Sequence, residues 1–340
     1  MASGAQSLQS QRIRHGTKRT YRSQLGAWRE FCRTSGYDIK TVHLQPDALQ
    51  DHILSLFIAF SCFGFASRKP VSYDTFKIRF SAVKDYYKAR FFTKLSSGLR
   101  VEMALAGYQR NFSTIDRPRL PVSPELLRAV GKRLLARGTP WALLCWGCAV
   151  FQFFVLGRPG EIWRTTKPIP EDGEHIVLWR NVTFGYGNKT QKYVNKRTQW
   201  VEVVFEQSKG DRKRKGVVLR FQRSGDPDLC IVKAVEWIQR ARKQLGIINA
   251  DTFISETGRG PIACGSFAKI LKEEAYVLGL DHTRISGHSM RIGGATQLFA
   301  AGCSDVVLRL MGRWSSDCFR IYLKFVLSLN ERIDFNLVVV

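Results

Sequence analysis

Along residues 17–35, apolar side chains recur at helical spacing (Tyr21, Leu25, Trp28, Phe31, Cys32), and Gly36 follows where a helix would stop. A second apolar stretch runs from Leu49 to Phe65 and ends in Ala66-Ser67-Arg68-Lys69-Pro70. Ser72 to Arg90 predicts a third helix, with Phe76, Phe80, Val83 and Tyr87 on one face and Lys77, Lys84 and Lys88 on another. A fourth is predicted from Ser97 to about Gly107. One apolar stripe per helix, with basic outer faces, is the pattern of an all-helical bundle.

Arg117-Pro118-Arg119-Leu120-Pro121-Val122-Ser123 breaks that pattern, because two prolines flanked by arginines suit an extended linker. The domain boundary is placed there, giving domains 1–117 and 118–340. Ser123-Pro124-Glu125 starts a helix, and an apolar helix over 141–156 follows. The period then changes: His175 to Trp179, Gln199 to Phe205 and Gly216 to Phe221 are short β-branched or aromatic runs between Gly, Asn and Lys clusters. Helices return at about 229–245, 264–278, 288–301, 304–311 and 316–329. The expected fold is mainly α: an N-terminal all-α bundle, then a C-terminal α+β domain with a small antiparallel sheet. No internal repeat is found.

Composition narrows the partner. The 340 residues carry 53 Lys+Arg against 28 Asp+Glu, a formal charge of +25, yet 44% are apolar and 12% aromatic. Such a chain folds around a core, and its charge calls for an anionic partner. Residues 1–117 hold +11 and residues 118–340 hold +14, which suits a grip on nucleic acid better than a single lipid anchor. Gly138 to Gly157 is uncharged and matches a bilayer span in length, but Pro140, Gly147 and Gln152 interrupt it and a buried helix fits as well. The N-terminal MASGAQSLQSQRIRHGTKR has no apolar core behind its basic residues, so no secretory signal is expected and the sequons at Asn111, Asn181 and Asn188 are read as chance. Eight scattered cysteines then read as reduced intracellular thiols. Cys145 and Cys148 are read as core thiols, since nothing nearby completes a zinc site. Gly258-Arg259-Gly260-Pro261-Ile262-Ala263 matches a loose dinucleotide fingerprint but lacks a βαβ setting, and is read as a loop.

The most informative segment is Gly287-His288-Ser289-Met290-Arg291-Ile292-Gly293-Gly294-Ala295-Thr296, followed by Leu310-Met311-Gly312-Arg313-Trp314 and then Tyr322. On a helix His288 and Arg291 share a face and can reach one phosphate together. Gly302 and Gly312 are natural C-caps, and Ser304 or Asp305 and Ser315 or Ser316 natural N-caps; these turns would bring Trp314 and Tyr322 back toward that face. Upstream, Leu156-Gly157-Arg158-Pro159-Gly160-Glu161-Ile162 puts an arginine at a helix start, ahead of a proline and three residues before a carboxylate.

Together these segments resemble the tyrosine recombinase (phage integrase-like) family, in a motif form similar to recombinases of eukaryotic mobile elements. The likeness covers nearly the whole chain: a helical bundle, a Pro-containing linker, a first-arginine box, H-x-x-R, a later G-(H/W) motif and a C-terminal tyrosine. Trp314 and Tyr322 are eight apart, one residue fewer than in many relatives. The resemblance implies a core-binding, SAM-like domain followed by a catalytic domain, the two closing on duplex DNA as a C-shaped clamp. Tyr322 would attack a phosphodiester to give a 3′-phosphotyrosine, and Arg158 and Arg291 would stabilise the transition state. Lys209, in the turn between Val201–Phe205 and Val217–Phe221, would protonate the leaving oxygen, with Lys213 and Lys215 as alternatives. His288 would act as base or hydrogen-bond donor, Trp314 would donate its indole N–H, and Glu161 would orient its neighbours. No metal, ATP or other cofactor is implied.

The expected partner is double-stranded DNA, engaged as a homo-tetramer, with no membrane. Contacts are expected from the basic turn Arg212, Lys213, Arg214 and Lys215, which could also be a nuclear import signal, and from Lys77, Lys84 and Lys88. An intracellular site is expected, nuclear in a eukaryotic host. The apolar tail Leu337-Val338-Val339-Val340 should be covered, either by its own domain or by a neighbouring subunit. The alternatives are a mobile-element derivative that binds DNA without cleaving it, a type IB topoisomerase-like nicking-closing enzyme and, more distantly, a membrane-surface protein.

Overall fold

Four amphipathic helices form the first unit: α1 (His15–Thr34), α2 (Asp47–Phe63), α3 (Tyr73–Arg90) and α4 (Leu99–Phe112). They belong to a computed structural model that describes residues 13, 15–64, 69–112, 118–165, 176–207, 215–320 and 337–338. The chain divides into two units, Met1–Arg117 and Pro118–Val340. In the first, Trp28 is fully buried and meets Phe57 edge-on at 4.8 Å. Its indole N–H donates to Tyr87 Oη at 3.2 Å, and that hydroxyl donates to the Ile39 carbonyl at 2.7 Å. A hydrogen-bonded chain thus ties α1 and α3 to the connection that leads into α2, and α2 itself joins by packing.

Helix α4 extends to Phe112, five residues beyond the predicted end, and its start is held from a distance. Buried Asp51 of α2 accepts from the N–H groups of Gly98 (2.6 Å), Val101 (3.2 Å) and Arg100 (3.2 Å). A side chain 47 or more residues upstream therefore caps the helix, a role usually given to its own first residue.

The second unit opens with α5 (Pro124–Leu135), capped by the Ser123 hydroxyl, and α6 (Pro140–Phe154), capped by Thr139. Helix α6 is the apolar run. It is buried at nearly every position and lies along α8 (Ile231–Gln244), where a Cβ on Gly147 would sit 2.9 Å from the Ala234 carbonyl. Among the described residues, no helix is long and apolar enough to cross a membrane. Cys145 and Cys148 are buried core thiols, and burial pushes Cys145 up to about 12.

Five antiparallel strands follow the order β2-β1-β3-β4-β5: β1 (Val182–Tyr186), β2 (Lys189–Thr190), β3 (Trp200–Phe205), β4 (Val217–Gln222) and β5 (Leu337–Val338). Strands β3 and β4 run from Trp200↔Gln222 to Phe205↔Val217. Leu337 and Val338 pair with Phe221 and Arg220 at the edge of the chain's own sheet. The strand expected over His175 to Trp179 is displaced. Leu178 makes a single bridge to Phe253, and Trp179–Asn181 is a 3-10 turn locked by Asn181, which accepts from Leu178 N–H at 2.9 Å. The strand falls instead on Val182–Tyr186, where Gly185 and Gly187 read as turn residues. Gly185 is required there because a Cβ would lie 2.1 Å from the Lys189 carbonyl.

The short α7 (Pro159–Ile162), α9 (Cys264–Val277), α10 (Ser289–Ala300) and α11 (Asp305–Gly312) complete the described helices. In place of the predicted start of a helix at 316, residues 317–320 form a 3-10 turn, and 321–329 lie outside the described residues. The loose fingerprint at 258–263 belongs to a tight loop in which Glu256 accepts from the N–H groups of Thr257, Gly258 and Gly260.

Asp51→Ala is expected to destabilise the first unit by about 1–3 kcal/mol, the range for stranding buried donors. Amide exchange in the full chain should accelerate at Gly98, Arg100 and Val101. Unaltered exchange at those three amides would show that the cap is dispensable.

Candidate active site

The site begins where α6 ends. Leu156 adopts the left-handed conformation (φ 48°), and Gly157 and Arg158 lead into α7. Arg158 is the N-cap residue, extended at φ −71° and ψ 147°, with Pro159 at the first helical position. Its backbone N–H donates to Glu161 Oε2 and its guanidinium to Glu161 Oε1, both at 2.8 Å. Arg158 keeps 22% of its side chain exposed and Glu161 only 2%.

Buried Gln152 fixes this loop against the H-x-x-R segment. Its Nε2 donates to the carbonyls of Gly157 and Gly287, both at 3.1 Å, and its Oε1 accepts from the Trp163 indole at 2.7 Å. The residues immediately before Arg158 and His288 are thus held by one amide. Glycines set the close approach of α10: a Cβ on Gly293 would lie 2.1 Å from the Val122 carbonyl, and one on Gly294 would lie 2.3 Å from that of Phe153. Arg291, 1% exposed, donates to the carbonyls of Leu156 and Gly312, and its guanidinium lies 4.4 Å from the Trp314 ring centroid.

A further cation completes the group. Arg313 Nη2 donates to Glu161 Oε2 at 2.7 Å, Nη1 donates to the carbonyls of Val155 (3.0 Å) and Met311 (3.1 Å), and the guanidinium lies 3.7 Å from the Phe205 ring centroid. Arg313, not Gly312, takes the left-handed conformation that ends α11 (φ 53°), which corrects the expected cap. Gly312 is needed for another reason: a Cβ there would fall 1.9 Å from the Trp314 ring.

The charges act on one another. Burial works to raise the Glu161 pKa, but Arg313, Arg158 and Arg291 outweigh it and hold the carboxyl below its usual range. His288 is pushed down to about 4, first by burial and then by the charges of Arg291, Arg119 and Arg158. At neutral pH its imidazole is uncharged, so one nitrogen can accept a proton while the other donates a hydrogen bond. The result is a cationic cluster in which Arg158 and His288 are partly exposed and an acceptor is present, suited to a phosphate and to a group that must lose a proton.

Of the residues singled out in the sequence, the structure brings together Arg158, Glu161, His288, Arg291 and Trp314. Lys209, Arg212, Lys213, Arg214 and Tyr322 lie outside the described residues. Lys215 is exposed just ahead of β4. On α3, Lys77, Lys84 and Lys88 are exposed; Lys77 pairs with Asp74 at 2.7 Å and Lys84 lies over the Phe80 ring. Gln152 and Arg313 were not foreseen as parts of the site. The available signal for Gln152 was a single amide in an uncharged run.

XerH site-specific recombinase bound to a palindromic difH substrate matches at a TM-score of 0.56 and 12% identity, covering 91% of this chain and 76% of that one. The fold is that of the tyrosine recombinases. A lambda integrase dimer bound to a COC′ core site matches at TM-score 0.52 and 14% identity over 98% and 96% of the two chains. The Tn1549 transposon integrase in complex with transposon right-end DNA matches at 0.50 and 15% over 92% and 90%. By sequence, no family model and no curated protein matches the chain. The tyrosine recombinase fold is therefore carried here at 12–15% identity to those three structures.

Two predictions concern the buried charges. Arg313→Met or Glu161→Gln alone strands a buried partner and should cost about 3–5 kcal/mol, whereas the double variant should cost less than the sum of the two. Additive losses in urea denaturation would remove the pair as a unit. His288, with a folded pKa near 4 against about 6.5 unfolded, takes up its proton more readily in the unfolded chain. Stability should therefore fall as pH drops from about 6.5 to 4, by on the order of 3 kcal/mol at most, with no contribution above 6.5. His288→Gln should flatten that part of the profile, and an identical profile in the variant would assign it to other groups.

Proposed function

We propose that the protein is a DNA strand-transferring tyrosine recombinase that cleaves and rejoins duplex DNA in site-specific recombination or integration of a mobile element. The observation that carries this reading is the convergence of Arg158, Arg291, His288 and Trp314 around a buried carboxylate, in a fold whose solved examples hold DNA. Partly exposed Arg158 would hydrogen-bond the pentacovalent phosphorus and buried Arg291 would add charge from behind it, with Trp314 stacked on Arg291 and its indole N–H a further donor.

Tyr322 is the proposed nucleophile. Its phenolic oxygen attacks phosphorus while its proton passes to neutral His288. The bond to the 5′-oxygen breaks, Lys209 supplies that oxygen with a proton, and a 3′-phosphotyrosine remains. Rejoining is the reverse attack by a 5′-hydroxyl. The phosphodiester bond energy is retained in the phosphotyrosine, so nucleotide hydrolysis is not required. A tetramer on paired sites would exchange strands between two duplexes.

The test is selection of bound duplexes from a random pool, followed by trapping of the covalent adduct on nicked versions in a denaturing gel. Tyr322→Phe should abolish the adduct with duplex affinity unchanged, and Arg158→Ala should slow its formation by about 10²-fold or more. An adduct formed by Tyr322→Phe removes Tyr322 as nucleophile. Plasmid relaxation with no intermolecular product would favour a nicking-closing enzyme.

A further inference from the structure

Between β1 and β3 the chain runs through Tyr186-Gly187-Asn188-Lys189-Thr190-Gln191-Lys192-Tyr193-Val194-Asn195-Lys196-Arg197-Thr198, with four cations and no acidic residue. Lys189, Lys192, Lys196 and Arg197 are all exposed, as are Tyr186 (52%) and Tyr193 (61%). Elsewhere in this unit many arginines are neutralised by neighbours: Arg128 by Asp226 at 2.9 Å, Arg133 by Glu273 and Glu274 at 2.6 and 2.8 Å, Arg220 by Glu202 at 3.2 Å. None of the four loop cations has an acidic partner within ion-pair distance among the described residues. Lys192 lies 5.5 Å from the Tyr193 ring centroid.

The loop is nevertheless built, not merely solvated. Gln239 of α8 accepts from Val194 N–H at 2.8 Å and donates to the Lys192 carbonyl at 3.2 Å. The buried Thr198 hydroxyl donates to Gln191 Oε1 at 2.7 Å and accepts from Asn195 N–H at 2.9 Å. Arg223 donates to the carbonyls of Thr198 (2.7 Å) and Asn195 (3.0 Å), and the Trp200 indole donates to the Gly187 carbonyl at 2.8 Å. Four like charges borne by one short, fixed stretch of backbone repel one another. A polyanion relieves that repulsion without having to order the loop first.

Position adds to the case. The far end of β3 is at the site, where the Phe205 ring lies under Arg313. The near end, Trp200, carries this loop, about 17 Å away along five strand intervals. That separation is comparable to the breadth of a duplex, so one DNA segment could span both.

We propose that the 186–198 loop is a second DNA-contacting surface, which holds duplex phosphates through Lys189, Lys192, Lys196 and Arg197, outside the reaction centre. The proposal rests on the strand-transfer reading, and it assigns to these four cations a share of affinity with no part in the chemistry. Phosphate contacts of this kind carry little sequence information and are sensitive to salt.

The full chain carrying Lys189→Ala, Lys192→Ala, Lys196→Ala and Arg197→Ala is titrated with a selected duplex over a range of salt. Each lost contact lowers the slope of log affinity against log salt by about 0.9, so a fall of about 2 to 3.6 is expected, with weaker binding at low salt. At saturating protein, the covalent adduct should form at the wild-type rate. Wild-type slope in the variant overturns the surface, and so does an affinity loss seen with single-stranded DNA or duplex RNA but not with duplex DNA. A slower adduct at saturation overturns the division between holding and chemistry. If the fourfold variant does not fold, the pairs Lys189→Ala/Lys192→Ala and Lys196→Ala/Arg197→Ala carry the same test, each with half the slope change. A wild-type chain that binds duplex but forms no adduct refutes the strand-transfer reading and leaves this surface standing.

Discussion

One buried carboxylate organises the candidate active site. Glu161 is 2% exposed, yet three arginines lie close enough to hold it ionised. Removing a carboxylate from water costs several kcal/mol, and one counter-charge rarely repays that by itself. Here the compensation is divided. Arg158 covers one oxygen and its backbone N–H the other, and Arg313 adds a third donor at 2.7 Å. The positions of Arg158 and Arg313 follow from this demand: if either swung away, the buried carboxylate would lose one of its two guanidinium partners. Arg291 enters through a shared acceptor, the Leu156 carbonyl, which also takes a longer bond from Arg313 at 3.4 Å.

Much of this was legible in the sequence, and the limit can be drawn residue by residue. The bundle helices followed from their apolar stripes, and Arg158-Pro159-Gly160-Glu161 and His288-Ser289-Met290-Arg291 could be read locally, since each motif lies within one turn. Gln152 could not be. As a lone amide in an apolar run it counted against a membrane span, and only the fold reveals that its two ends meet Gly157, Gly287 and Trp163. Asp51 was missed as the cap of α4 for the same reason: its partners are 47 to 50 residues away. Strand β1 was hidden because Gly185 and Gly187 are turn signals locally, whereas Gly185 is set by the close approach of the Lys189 carbonyl.

The +25 charge, undifferentiated in the sequence, divides into three populations in space. Arg158, Arg291 and Arg313 are engaged with one carboxylate or with carbonyls and cannot respond freely to solvent ions. Arg128, Arg133 and Arg220 are matched by acidic neighbours and add little to the outward field. Lys77, Arg180, Arg309 and Arg320 also meet carboxylates, whereas the four exposed cations of the 186–198 loop have no acidic partner among the described residues. Composition reports only the sum, but the field a polyanion meets depends on where the uncompensated charge lies, and salt screens exposed cations most.

The backbone at the two ends of the arginine cluster shows how tightly it is specified. Leu156 and Arg313 both have positive φ, at 48° and 53°, although neither is glycine. A left-handed L-residue costs roughly 1–2 kcal/mol, and a glycine is available one position away in each case, at Gly157 and Gly312. Exchange would fail at both. At 156, the left-handed residue is also fully buried, so glycine would leave its side-chain volume empty. At 312, any Cβ collides with Trp314, and at 313 a glycine would leave Glu161 short of a cation. The strain therefore persists because the same few residues must satisfy a carboxylate, seat an indole on Arg291 and reverse the chain within three positions. Glycine placement in the G-R-W segment follows the steric need of the tryptophan, and the turn conformation follows the electrostatic need of the glutamate.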